Sequence, residues 1–332
     1  MFIDSQSGSK AFSKWVDILS IVGLVGVAVY ILIETAIRRA RHLDQAISIF
    51  QNFLSGAILA NLAGGIFLVV IAIVCLWARR KYPSLQRGLN LAARSIGVFL
   101  LFWLIYQGTA YFIDYKWWTP LKSYFPDLAA AFLQGKTYLD APKAFVDLTM
   151  FQNKWYVSFP PLASLLMLPQ VALSGSDSVN TIHFTILFGA ASVAIVFAIL
   201  ESLSRQGWTK LNLWGNVWLT ILFGLGTMYW SMVVAGQVWY ISQILTVAFA
   251  ALAVLLAINI DSPLPAGLSL AIGMLARPNI ALLWPFLFGI FWQRKISEGT
   301  KLTWKQALTW MLLSIIPAVI VALVVRLKSN VT

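Results

Sequence analysis

Acidic side chains are scarce in this chain and thiols scarcer: 12 Asp and Glu stand against 24 Lys and Arg, and Cys75 is the single cysteine. One cysteine excludes an intrachain disulfide. Its place inside an apolar run makes it a small packed residue rather than a thiolate ligand. Of the two histidines, His183 stands near a helix start without metal-spaced partners, so it reads as a satisfied membrane histidine. Charge of either sign is low, at 11% of residues, whereas 60% are hydrophobic and the mean hydropathy is +0.80. A soluble core of this length cannot bury so much apolar surface, which excludes a water-soluble globule and implies an integral, multi-pass membrane protein, with the cytoplasmic membrane the expected location. The net charge of +12 does not imply a nucleic-acid partner, because the basic residues lie in short clusters beside apolar runs, as in Arg79-Arg80-Lys81 after Trp77. Those are the marks of cytoplasmic membrane anchors.

Uncharged windows long enough to cross a bilayer fall at residues 53–77, 95–113, 179–200, 211–230, 238–260 and 307–325. Backbone polar groups in lipid need internal partners, so each is expected to be helical. A first run at residues 18–33 is shorter, flanked by Asp17 and Glu34, and reads as a retained anchor with no small-residue cleavage site after it. Residues 1–88 are thus expected to form an N-terminal transmembrane hairpin ahead of a core spanning 89–332. Arg79, Arg80, Lys81, Arg87 and Arg94 place the connection before the third span in the cytoplasm, so the loop at 114–160 is expected outside. The same rule puts Arg205 with Lys210, and Arg294 with Lys295, Lys301 and Lys305, inside. Both hold only if residues 161–174, interrupted by Pro169, lie along or dip into the outer leaflet without crossing. Residues 263–292 are split by Arg277-Pro278-Asn279, which predicts two short helices meeting at a break. An arginine at membrane depth there calls for a partner or a wet cavity.

The polar, aromatic loop is where chemistry is expected. It carries Asp114, Asp127, Asp140 and Asp147 with five lysines and no glutamate, then runs into Phe159-Pro160-Pro161-Leu162. From residue 95 onward the order of signals resembles the GT-C superfamily of polytopic membrane glycosyltransferases, which includes the protein mannosyltransferase-like and aminoarabinose-transferase-like families. The resemblance rests on Tyr124-Phe125-Pro126-Asp127 leading to Gly135 and Tyr138-Leu139, on Lys154 through Leu162, on Gly224-Leu225-Gly226-Thr227 with Trp230, on Gly236-Gln237-Val238-Trp239, and on Leu275-Ala276-Arg277-Pro278. It implies an all-α bundle of about 8 to 10 transmembrane or half-membrane helices with juxtamembrane helices in the outer loop. It further implies a polyprenyl-phosphate-linked sugar as donor and a loop carboxylate as base. The chain departs from such relatives in having Pro120-Leu121-Lys122 where an Asp-Glu pair is expected, Phe159 where a histidine precedes the two prolines, and an early end after Val325.

Inverting sugar transfer needs a base near the acceptor and cationic groups or a divalent metal near the leaving phosphate. Asp127, Asp147 and Asp114 are the candidate bases. Against this, Asp127 in a first helical turn would merely complement the helix dipole, Asp147 would be a solvated loop residue, and Asp114 would mark the end of its span. Asp140, beside Ala141-Pro142, reads as a turn residue. Arg277 is the candidate phosphate contact or, equally, a structural ion-pair partner; Lys116 and Lys122 are looser point charges. Tyr156, Gln237 and Trp239 would line a sugar pocket unless they belong to an interfacial aromatic belt. No protein metal site is expected. The alternatives to a glycosyltransferase are a truncated, non-catalytic binding or assembly subunit that works with a partner membrane chain, and a transporter of lipid-linked sugar.

Overall fold

The computed structural model of the chain describes residues 86–113, 123–142 and 147–299, together with 303, 305–313 and scattered positions between 70 and 78 and between 315 and 319. The run expected at 18–33, most of that at 53–77, nearly half of that at 307–325, and residues Asp114, Lys116 and Lys122 lie outside them. Packing divides the chain into two compact units, Met1–Ile113 and Asp114–Thr332. In the first, helix α1 (Gln86–Ile113) has 28 residues without a break and contains an apolar stretch, Gly88–Ala110, long enough to cross a membrane. Thr109 returns its hydroxyl to the carbonyl of Ile105 at 2.7 Å, so the helix absorbs its own polar side chain.

The second unit is mostly helical. Its elements are α2 (Tyr124–Leu133), strands β1 (Leu148–Phe151) and β2 (Lys154–Val157), α3 (Leu162–Ser174), α4 (Thr181–Arg205), α5 (Leu213–Leu225), α6 (Tyr229–Ala235), α7 (Val238–Asn259), α8 (Leu264–Met274) and α9 (Trp284–Ser297), with a 3-10 segment Pro278–Leu283 before α9. Among the described residues α1, α4 and α7 are long and apolar enough to span a membrane, and α5 with α6 forms a fourth, bent candidate.

Helix α4 starts where Asn180 accepts hydrogen bonds from the backbone of Ile182 and His183 at 2.9 and 3.2 Å, an N-cap that satisfies two orphan donors. It packs along α7. The window at 211–230, expected as one span, is instead bent by 51° between α5 and α6. The cause is local: Gly226 caps α5, and the Thr227 hydroxyl donates to Phe223 O at 2.8 Å while accepting the N–H of Tyr229 at 3.1 Å, closing one helix and opening the next. Helix α6 then crowds α4. A Cβ on Gly189 would lie 2.6 Å from the Val233 methyls, and Thr185 donates to Val233 O at 2.8 Å.

Helix α8 runs back along α7, as shown by Ser269 Oγ on Phe249 O at 2.9 Å and Ser242 Oγ on Ala276 O at 3.2 Å. The chain breaks at Arg277-Pro278, as expected, and α9 returns to its starting end, where Arg294 binds the carbonyls of Ala257 and Ile260 and pairs with Asp261. That end also gathers Gln206 on Ile258 O at 2.8 Å, Asn259 on Ser202 Oγ at 3.1 Å, and buried Asn216 on Glu201 Oε1 at 2.7 Å. Arg205 and Arg294 therefore share one end of the unit, the basic end.

The opposite end carries the loop. Leu162 N–H at the start of α3 donates to Leu275 O at 2.9 Å, and the end of α3 leads through Ser176–Ser178 directly to the cap of α4. Both ends of α3 thus lie at the same end of the unit, and α3 does not pass to the basic end. Helix α2 packs on it. Tyr124, Phe125 and Leu128 are buried with Leu162, Met167 and Val171 of α3 and Ile241 and Leu245 of α7. Each large side chain so enclosed stabilises the loop by about 2 kcal/mol.

One element lies outside the all-α expectation. β1 and β2 pair antiparallel, Leu148 opposite Val157 and Phe151 opposite Lys154, and Leu139 bridges to Trp155 beside them. The two-residue turn Gln152-Asn153 has positive φ at both positions, 48° and 59°, as the type I′ hairpin geometry requires.

Candidate functional site

The hairpin aims one aspartate at the helix bundle. Asp147 immediately precedes β1 with φ of 61°, a left-handed conformation that an L-residue other than glycine adopts only when its surroundings hold it. They do so twice. Ser158, just after β2, donates its hydroxyl to the carbonyl of Asp147 at 2.8 Å, with Thr149 Oγ1 at 3.3 Å from the same hydroxyl. The Asp147 carboxylate in turn accepts the indole N–H of Trp239 through Oδ2 at 2.6 Å, a charge-assisted bond to the first turn of α7.

Trp239 also receives Arg277, whose Nη2 donates to the Trp239 carbonyl at 3.4 Å. Arg277 stands at the break after α8, in an extended conformation imposed by the following proline. Its Nε is buried and makes no hydrogen bond. The partner expected for this arginine is therefore a backbone carbonyl; no carboxylate among the described residues pairs with it. A carboxylate and a guanidinium thus hang on one tryptophan, the first by its side chain and the second by its backbone.

Tyr124, at the start of α2, completes this neighbourhood. Its ring stacks on Phe159 at 6.4 Å, and Phe125 meets the same ring edge-on at 6.4 Å. Phe159, the residue after Ser158, thus packs against the rings at the start of α2. The phenol of Tyr124 is buried without a hydrogen-bond partner, and burial, with a smaller contribution from the negative charge of Asp147, pushes its ionisation well above the usual tyrosine value.

The other expected residues fall at varying distance from this centre. Asp127 is half-buried in the first turn of α2, whose N-cap is Ser123 and whose C-terminal turn closes at Gly135 with φ of 73°. Tyr156 sits in β2 in a row of rings, 6.1 Å from Tyr138 and 6.5 Å from Phe151, with Lys154 Nζ 4.2 Å from the Tyr138 centroid. Gln237 is the N-cap of α7, where its carbonyl accepts Tyr240 and Ile241 N–H while its side chain makes no capping bond. Asp140 pairs with Lys136 at 2.6 Å on the surface. Among the described residues no three His, Cys, Asp or Glu gather to hold a metal ion.

Sequence reasoning missed Tyr124 and Ser158 as contributors. Tyr124 stood in a quoted motif whose aspartate drew attention, and nothing in the sequence announces a hydroxyl that reaches back across a hairpin. Comparison of the chain with protein-family models, with curated protein sequences and with solved structures finds no match.

Proposed function

We propose that this protein is a membrane glycosyltransferase of the GT-C type, which moves a sugar from a polyprenyl-phosphate carrier to an acceptor at the loop end of the bundle, on the extracytoplasmic side. The observation that carries the reading is the bonded chain from Asp147 carboxylate through Trp239 to Arg277, which sets a base and a cation on one scaffold. In the reaction Asp147 takes the proton of the acceptor as the acceptor attacks the anomeric carbon. The bond from that carbon to the phosphate oxygen breaks, its electron pair leaves with the polyprenyl phosphate, and Arg277 offsets the charge. A placed base supplies roughly 10² to 10⁴ in rate. The guanidinium suits the phosphate because, beyond the one bond from Nη2 to Trp239 O, its Nη donors make no hydrogen bond to a described residue.

Asp127 is the rival base. Cells carrying Asp147→Asn, Asp127→Asn or Arg277→Ala, each checked for membrane insertion, separate the two. The proposal expects the extracytoplasmic glycan to be lost with Asp147→Asn and Arg277→Ala and kept with Asp127→Asn. Unchanged glycan in the first two rejects it.

A further inference from the structure

The register of the hairpin, carried one pair past Leu148 and Val157, sets Asp147 opposite Ser158. Trp155 turns its N–H and carbonyl away from β1 to Leu139, so by alternation the bonded pairs of the ladder are Phe151 with Lys154 and Thr149 with Tyr156. Asp147 with Ser158 is next in that series. There the ladder changes character: Asp147 enters the left-handed region with φ of 61°, and its carbonyl is taken by the Ser158 side chain at 2.8 Å. A serine hydroxyl has one proton, and here it goes to Asp147. The contact of 3.3 Å with Thr149 Oγ1 therefore has Thr149 as donor, so the Ser158 hydroxyl is itself oriented.

Ser158 is held from its other side as well. It leads into Phe159, whose ring packs on Tyr124 and Phe125, and into Pro160 and Pro161, whose φ angles the rings lock. Leu162 follows and donates to the carbonyl of Leu275, close before Arg277. The contacts close a ring: Asp147 to Ser158, along the prolines to Leu162, across to Leu275, on to Arg277, from its guanidinium to the Trp239 carbonyl, and from the Trp239 indole back to Asp147. Among these residues Asp147 alone has a positive φ. An L-residue returns to negative φ unless held, and that swing redirects its Cα–Cβ bond and takes the carboxylate off the indole. We infer that Ser158 is a positioning residue for the reaction: its hydroxyl holds Asp147 in the left-handed conformation and thereby keeps the carboxylate on Trp239, in a fixed relation to Arg277. Without that hydroxyl the base loses its direction, although no group that would touch the substrate has been removed.

This inference rests on the proposed transfer for the role of Asp147 as base, and one arm of its test needs no turnover. Full-length protein in lipid nanodiscs, labelled with ¹⁵N in its indoles, reports the hold through the Trp239 Nε1 resonance, identified by its loss in Trp239→Phe. Asp147→Asn gives the position of that resonance without a carboxylate. Ser158→Ala is expected to move it toward that position, whereas Ser158→Thr, which keeps a hydroxyl, leaves it where wild type has it. Thr149→Val, which removes only the donor that orients Ser158, moves it the same way by less and decides the matter if Ser158→Ala does not fold. A merely structural serine would lower the melting temperature and leave the indole in place. In the second arm, sugar transfer by Ser158→Ala falls about tenfold in kcat with KM for the donor unchanged, and Ser158→Thr recovers it. An indole unmoved in Ser158→Ala and Thr149→Val, or a wild-type kcat in folded Ser158→Ala, overturns the inference and leaves the transferase reading standing. An indole that moves as expected in a protein that transfers from no lipid-linked donor counts against the transferase reading alone.

Discussion

At the scale of the residue, the Trp239 indole holds the Asp147 carboxylate by one N–H at 2.6 Å. Trp239→Phe keeps an aromatic ring and removes the N–H, so sugar transfer is expected to fall by about tenfold, the worth of one charge-assisted hydrogen bond, with little change in melting temperature. An unchanged rate would mean that Asp147 is positioned by the hairpin alone. Tyr124 gives a pH signature. Its ionisation is raised in the folded protein, so its contribution to stability is complete below the ordinary tyrosine value of about 10 and is lost as pH climbs above that value, where the unfolded chain ionises and the folded one does not. Melting curves between about pH 9 and 11 should show this decline in wild type and a weaker one in Tyr124→Phe. Asp147, Arg277 and Trp239 each stood out in the sequence as candidates, because a carboxylate in a polar loop and an arginine before a proline in an apolar run are conspicuous. Their connection did not: 92 positions separate Asp147 from Trp239, and no local pattern encodes a contact of that span.

Elements were legible where hydrophobic periodicity and breakers dominate. The spans at α4 and α7, the short helix after Pro126 and the break at Arg277-Pro278 all follow from apolar length, caps and proline. The hairpin did not declare itself, because Gln152-Asn153 is a poor turn sequence for two positive φ values; Asn-Gly would have been the signal. The double change Gln152→Asn with Asn153→Gly should therefore stabilise the hairpin by about 1 kcal/mol, seen as slower proteolysis of the loop. The bend between α5 and α6 was missed because Thr227 keeps the hydropathy window apolar while its hydroxyl ends one helix and begins another. Past that bend, Gly236 has φ of 57°, and a Cβ there would approach the Ile182 backbone at 2.8 Å. Gly236→Ala should cost about 2 kcal/mol or more, measurable as a lowered melting temperature in detergent, because both conformation and space oppose it.

At the scale of the whole molecule, the described part of Asp114–Thr332 has two unlike ends. One gathers Arg205, Arg294 and Lys295 with Asp261 and Glu298, and the other holds the hairpin, α2, α3 and the Asp147–Trp239–Arg277 chain. On the charge rule we propose that the first faces the cytoplasm and the second the outside. With Cys75 replaced by alanine, a cysteine at Gln152 should react with an impermeant maleimide in intact cells, and one at Glu298 only after permeabilisation. The reverse pattern would invert the topology and move the proposed chemistry to the wrong compartment. Transfer itself decides the central claim most directly: label from a panel of polyprenyl-phosphate sugars is followed into product in membranes containing wild type or Asp147→Asn. Wild type should incorporate label from at least one donor, and the folded variant should lose roughly 10² or more of that rate. Equal incorporation by the two proteins, or donor bound by wild type but never transferred, would contradict it.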